Sequence, residues 1–134
     1  MNHDKVNNKY DKIKHLVEVD DDILAVFIIA SSQIEKLYVA KNAHIDIDYV
    51  RTILNELGSI IGGSKSLEPK LDYESRLGKL RWLVIEYDKI RILKIHEDNR
   101  VIFVLINSNT QLEHTVDNIL GYYLDLDETP KNLF

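Results

Sequence analysis

Three apolar runs joined by two very short polar turns, between Leu80 and Asn107, constrain the fold more than any other feature of the chain. They read Leu-Arg-Trp-Leu-Val-Ile-Glu-Tyr, Ile-Arg-Ile-Leu-Lys-Ile-His and Arg-Val-Ile-Phe-Val-Leu-Ile-Asn, separated by Asp88-Lys89 and Glu97-Asp98-Asn99. A parallel pair needs a crossover of roughly a dozen residues, so joints this short make the neighbours antiparallel, a three-stranded meander. Arg81 and Glu86 interrupt the first run, and Arg91 and Lys94 the second. The third, Val101–Ile106, is apolar on both faces, as a central strand covered from both sides requires.

The rest of the chain reads as elements that extend or cover this sheet. Val6, Tyr10, Ile13 and Val17 fall on one helical stripe within Asp4–Val19, an amphipathic covering helix. Asp20-Asp21-Asp22 ends that pattern. A calcium loop needs ligands at alternating positions with a glycine at the bend, so these three acids read as a solvated turn before a strand. Ile23–Ala30 is the most apolar run of all, short and flanked by turn residues, which favours a buried strand. Ser31-Ser32-Gln33 makes a joint to a half-exposed strand at Glu35–Lys41, placed at a sheet edge and forming a hairpin with its predecessor.

Ile45–Ile61 carries the clearest helix signature: Asp46 at the N-cap, Ile45 and Val50 placed for a hydrophobic staple, and Asp48 in the first turn. Ile47, Val50, Ile53, Leu54, Leu57, Ile60 and Ile61 form a wide apolar stripe before Gly62-Gly63 stops it. Two readings of that width stay open, deep core throughout or a part turned toward a second subunit. Gly58–Ser66 is glycine-rich, but Ser64 stands where a phosphate loop needs lysine and the glycines follow a helix, so nucleotide binding is excluded there. Ser64–Leu77 is polar, with Leu67 and Leu71 around Pro69, either a short helical piece or a long loop. Thr110-Gln111-Leu112-Glu113 fits a capping box, and Leu112, Val116, Ile119, Leu120 and Tyr123 continue as one helical stripe to Leu124. An acidic tail, Asp125–Phe134, follows.

Composition narrows the function more by exclusion than by indication. The 134 residues, 45% hydrophobic and 29% charged, fit one domain over 1–134 with residues 1–4 and 125–134 fraying. A net charge of -5 argues against nucleic acid, and the absence of cysteine removes disulfides, thiolate metal sites and cysteine nucleophiles. The polar N-terminus is not a signal peptide, and no run of about 18 apolar residues could span a bilayer. The expectation is a cytoplasmic protein without membrane insertion. Among His3, His15, His44, His96 and His114, only His114 has an acid, Asp117, three residues away on a helix, and two ligands do not hold a zinc ion. Glu86 and Asp88 form an acid pair or simply flank a solvated hairpin turn. No catalytic constellation, cofactor site or metal site is expected, so the chain reads as non-enzymatic. Trp82, on the same face as Leu80 and Val84, is either core or an interface anchor. On an edge strand it would favour pairing with another chain.

The hairpin Ile23–Lys41, the capped helix Ile45–Ile61, the meander Leu80–Asn107 and the closing helix Thr110–Leu124 give the order α-β-β-α-β-β-β-α. This α+β pattern resembles the roadblock/LC7 (dynein light chain-like) family over nearly the whole chain, although Ser64–Lys79 is longer and more polar than that family leads one to expect. The resemblance implies a five-stranded antiparallel sheet with a long helix and flanking terminal helices. It implies a non-enzymatic homodimer in which the first meander strand pairs with its copy, placing Leu80, Trp82, Val84, Glu86, Leu54 and Ile61 at the interface. It also implies a role as a platform or regulator for small Ras-like GTPases or as an adaptor. No arginine here can be assigned as a GTPase finger. A profilin-like actin-binding protein, or a longin- or PAS-like module binding a small ligand, shares the helix-flanked sheet and remains the alternative.

Overall fold

A computed structural model describes residues 8–60 and 76–124. Along the chain run α1 (Asn8–Val19), β1 (Ile23–Ala30), β2 (Gln33–Val39), α2 (Ile47–Ile60), β3 (Trp82–Glu86), β4 (Ile90–His96) and β5 (Val101–Asn107). A π-helical segment, His114–Leu120, then leads into α3 (Gly121–Leu124). Two compact units are distinguished, residues 1–43 with 82–134, and residues 44–81. The first holds the sheet with α1 and the closing helix; the second holds α2.

The sheet is five-stranded and antiparallel in the order β2-β1-β5-β4-β3. The N-terminal hairpin therefore joins the meander through β1 and β5, with Val26 opposite Val104 and Phe27 opposite Phe103. The second and third meander strands lie where the apolar runs place them, while the first is shorter than its run, Trp82–Glu86 within Leu80–Tyr87. In the hairpin, β2 begins at Gln33 and ends at Val39, not Glu35–Lys41. Ser31 and Ser32 adopt positive φ, 53° and 63°, so the turn takes only two residues and Ala30 already pairs with Gln33. Left-handed geometry at both positions matches the right-handed twist of the flanking strands.

On one face of the sheet Val26, Ile28, Leu93, Ile95, Ile102, Val104 and Ile106 pack with Ile13, Leu16 and Val17 of α1 and with Ile119, Leu120 and Tyr123 of the closing helix. The Lys12 ammonium ties the two helices, donating to the Tyr122 carbonyl at 3.1 Å and lying 5.2 Å from its ring centroid. On the other face Phe27 stacks on Phe103 at 4.8 Å, and Ala25, Ile92 and Leu105 are fully buried. Strands β1, β4 and β5 are thus buried on both faces. At roughly 1.5–3 kcal/mol per buried large aliphatic or aromatic side chain, they dominate the hydrophobic stabilisation of this unit.

The closing helix departs from its expected form. Gly121 N–H bonds the Val116 carbonyl, a π-type step that widens the turn. The buried stripe shifts accordingly: Thr115 is fully buried, while Leu112 stays 55% exposed. The capping box does not form either, because the Thr110 hydroxyl is buried with no hydrogen-bond partner among the described residues. His114 N–H instead donates to the Gln111 carbonyl at 3.0 Å.

Thr115 meets Arg91, a buried arginine on the helix-covered face of β4. Arg91 donates from Nε to Glu86 Oε1 at 2.5 Å, and from Nη1 to Thr115 Oγ1 at 2.9 Å and the Gln111 carbonyl at 3.3 Å. A buried guanidinium is costly unless its donors are met, and here the hairpin and the widened helix meet them together.

In the second unit, Asp46 caps α2 as its position predicts: Oδ1 accepts from Tyr49 N–H at 2.9 Å. Val50, Ile53 and Leu57 are buried and Leu54 is half-buried, but Ile47 is exposed, so the buried stripe is narrower than the apolar one. Ile61, Gly62-Gly63, most of Ser64–Lys79, the first seven residues and the tail Asp125–Phe134 lie outside the described residues. Among the described residues no helix is long and apolar enough to cross a membrane.

Replacing Thr115 with valine removes one acceptor from a buried cation, and a loss of about 1–3 kcal/mol in urea unfolding is expected. Arg91→Met combined with Thr115→Val removes both partners and should recover most of that loss. A double variant less stable than Thr115→Val alone would contradict this account of the contact.

Candidate functional site

Strand β3 pairs only with β4, in unbroken register from Trp82 opposite Ile95 to Glu86 opposite Arg91. Its outer backbone groups face no strand among the described residues. Alternate side chains of a strand share a face, so Trp82, Val84 and Glu86 lie together on the helix-covered side and Leu83 and Ile85 on the other. Trp82 is 37% exposed at the start of the strand. Val84 is half-buried against the helical core, and Glu86 is exposed but held by Arg91. The expected interface residues therefore divide. Trp82, Val84 and Glu86 share one face of an edge strand, and the exposed Leu80, assigned to the second unit, stands two residues before it in sequence. Leu54 belongs to α2 in the second unit, and Ile61 lies outside the described residues.

Strand β2 forms the opposite edge and differs in character. Its register shifts between Ile28 and Ile29 of its partner, and it presents Glu35 and Lys36 to solvent. Charge and irregularity along an edge oppose pairing with another chain. β3 is regular and carries a single charge: four of its five residues, Trp-Leu-Val-Ile, are apolar and only Glu86, paired with Arg91, is charged.

Arg91 is the partner that reading Glu86 beside Asp88 overlooks. Tyr87 N–H bonds the Ile90 carbonyl at 2.8 Å across the two-residue turn, which sets Glu86 directly opposite Arg91. Counting across that hairpin would have found it. The His114 imidazole engages Asp20 and Asn118, at 2.7 Å and 2.8 Å.

On the face of β4 away from the closing helix, Lys94 lies 5.6 Å from the Phe103 ring centroid, and the buried His96 Nε2 has no hydrogen-bond partner among the described residues. Burial pushes the Lys94 ammonium below its ordinary range. Burial, and then the charge of Lys94, pushes His96 below the usual histidine value of 6.5. A histidine with a depressed folded pKa binds fewer protons folded than unfolded, so its share of stability is present above about pH 6.5 and is lost as pH falls through the folded value. The urea midpoint should accordingly fall more between pH 7.5 and pH 5 for the wild type than for His96→Asn. Equal falls would show that His96 carries no such linkage.

No family model matches the chain, and no curated protein matches its sequence. Solved structures do resemble it. A roadblock/LC7 domain from Streptomyces avermitilis is 17% identical, with 86% of this chain and 87% of that one covered at a TM-score of 0.54. MglC from Myxococcus xanthus is 6% identical, with 89% and 96% covered at 0.56. MglB from the same organism is 15% identical, with 93% and 92% covered at 0.55. At these identities the likeness speaks to architecture: the chain has the fold of a roadblock/LC7 domain.

Proposed function

We propose that this chain is a non-enzymatic scaffold or regulator that works as a homodimer, with β3 pairing antiparallel with β3 of a second copy. The contrast between the two sheet edges carries the reading. β2 is charged and irregular, whereas β3 is regular, apolar and led by a half-exposed Trp82. Pairing β3 with itself satisfies its outer amides and carbonyls and continues the sheet across a two-fold axis, an isologous contact. Trp82, Val84 and Glu86 then border the seam; the resemblance to roadblock/LC7 domains adds Leu80, Leu54 and Ile61 to the proposed interface. Trp82 is the anchor, since large aromatic side chains dominate interface energetics.

A symmetric dimer presents each remaining surface twice, which suits a platform for partner proteins. The resemblance to roadblock/LC7 domains favours a small Ras-like GTPase as that partner. The reading requires no cofactor and no nucleic acid. The chain acts by holding surfaces in place, in the cytoplasm.

Light scattering on a sizing column tests this directly. The wild type should elute with the mass of a dimer, and Trp82→Glu, which puts a charge at the seam, should elute as a folded monomer. Adding a small Ras-like GTPase to the same run should shift the dimer to a larger mass. A wild-type monomer would overturn the interface; a dimer that ignores a panel of such GTPases would remove them as partners.

A further inference from the structure

The turn between α1 and β1 carries Asp20 and Asp22, and the π-helical segment opens on His114, 94 residues after Asp20. One donor atom from each of the three lies within 4.8 Å of the others, and all three residues are half-buried. His114 Nε2 is 2.7 Å from Asp20 Oδ2 and 3.9 Å from Asp22 Oδ2. Asp20 Oδ1 accepts the Asp22 backbone N–H at 3.0 Å, which fixes the direction of that carboxylate. The Asn118 amide stands 2.8 Å from Nδ1 on the far side of the ring.

We propose that Asp20, Asp22 and His114 bind a divalent cation of the zinc class, which clips the α1–β1 turn to the start of the closing helix. A single hydrogen bond accounts for His114 and Asp20 but not for a second carboxylate oxygen 3.9 Å from the same imidazole nitrogen. Two carboxylates and one imidazole leave at least one negative charge over. Among the described residues no lysine or arginine lies within ion-pairing distance of either acid. A divalent cation at the common focus removes that excess.

The dimensions and the donors agree with such an ion. Ligands bound at about 2.0–2.2 Å in a tetrahedron lie about 3.4 Å apart, and the observed 2.7 Å and 3.9 Å straddle that spacing. One imidazole nitrogen with two carboxylate oxygens suits zinc and its neighbours, whereas magnesium and calcium take oxygen alone. Three protein ligands leave a fourth position open. Asp20 also lines a cleft of about 730 Å³ shared with Glu18, Asp21 and Lys41, so an outside donor can approach from there. Asn107 N–H bonds the Asp22 carbonyl at 2.8 Å, so the ion would also brace the end of β5.

Calorimetric titration of the full chain with zinc chloride, in parallel with magnesium chloride, tests the proposal. The expected result is one zinc ion per chain in the micromolar range, with magnesium binding far weaker. His114→Gln and Asp22→Asn should each weaken zinc at least about tenfold, while Asp21→Asn, the neighbouring acid outside the cluster, should leave it unchanged. Ring resonances of His114 in the wild type should shift on zinc addition, a readout that needs no variant to fold. Absence of saturable zinc binding, binding that both variants retain, or zinc binding that leaves the His114 ring unmoved would each overturn the proposal.

Discussion

The antiparallel pairing of β1 with β5 is the contact on which the rest of the sheet depends. Both strands are apolar on both faces, so neither can serve as an edge, and each must be covered above and below. Placed side by side, they fuse a hairpin from the start of the chain with a meander from its end. Val26 and Val104 then serve the helix-covered face, while Phe27 stacks on Phe103 on the other. Once that pair occupies the middle, β2 and β3 are left at the edges, the one charged and irregular, the other regular and mostly apolar.

Polar groups then fix the covering layer to the sheet. Arg91 is the only charged residue of the described core, and its donors reach the β3–β4 hairpin through Glu86 and the closing helix through Thr115 and Gln111. The π-helical step is what turns Thr115 inward to meet it. One residue earlier, His114 reaches the α1–β1 turn. Consecutive residues of one widened turn thus tie the closing helix to two separate parts of the same unit, which gives the π-type geometry a structural reason.

Much of this architecture was legible in the residues. The meander strands could be placed closely because joints of two and three polar residues allow no other arrangement, and the α2 cap could be placed because Asp46 offers its carboxylate at the right distance. The misses have physical causes. Ser31 and Ser32 take positive φ without the glycine or asparagine that usually announces it, so the residue pattern starts β2 two residues late. An i→i+5 helix leaves nearly the same apolar spacing as an α-helix, so the spacing puts Leu112 on the buried stripe and leaves Thr115 off it. The edge position of Trp82 emerges only from the strand order of the folded sheet; the residues alone leave it as core or interface anchor. The meeting of Asp20 and Asp22 with His114 is not legible in the residues either, because it is a product of tertiary folding across most of the chain.

In the proposed dimer, β3 is an open edge that a second copy completes. In an antiparallel edge strand, alternate amides point away from the sheet and exchange with solvent unless another strand covers them. Amide hydrogen exchange at single-residue resolution across Trp82–Glu86, recorded at low and high protein concentration, reads this directly. The outward amides should exchange fast when dilute and become protected when concentrated, while those bonded to β4 stay protected throughout. Outward amides that exchange equally fast at every concentration, in a sample of dimeric mass, would place the interface elsewhere and contradict the account.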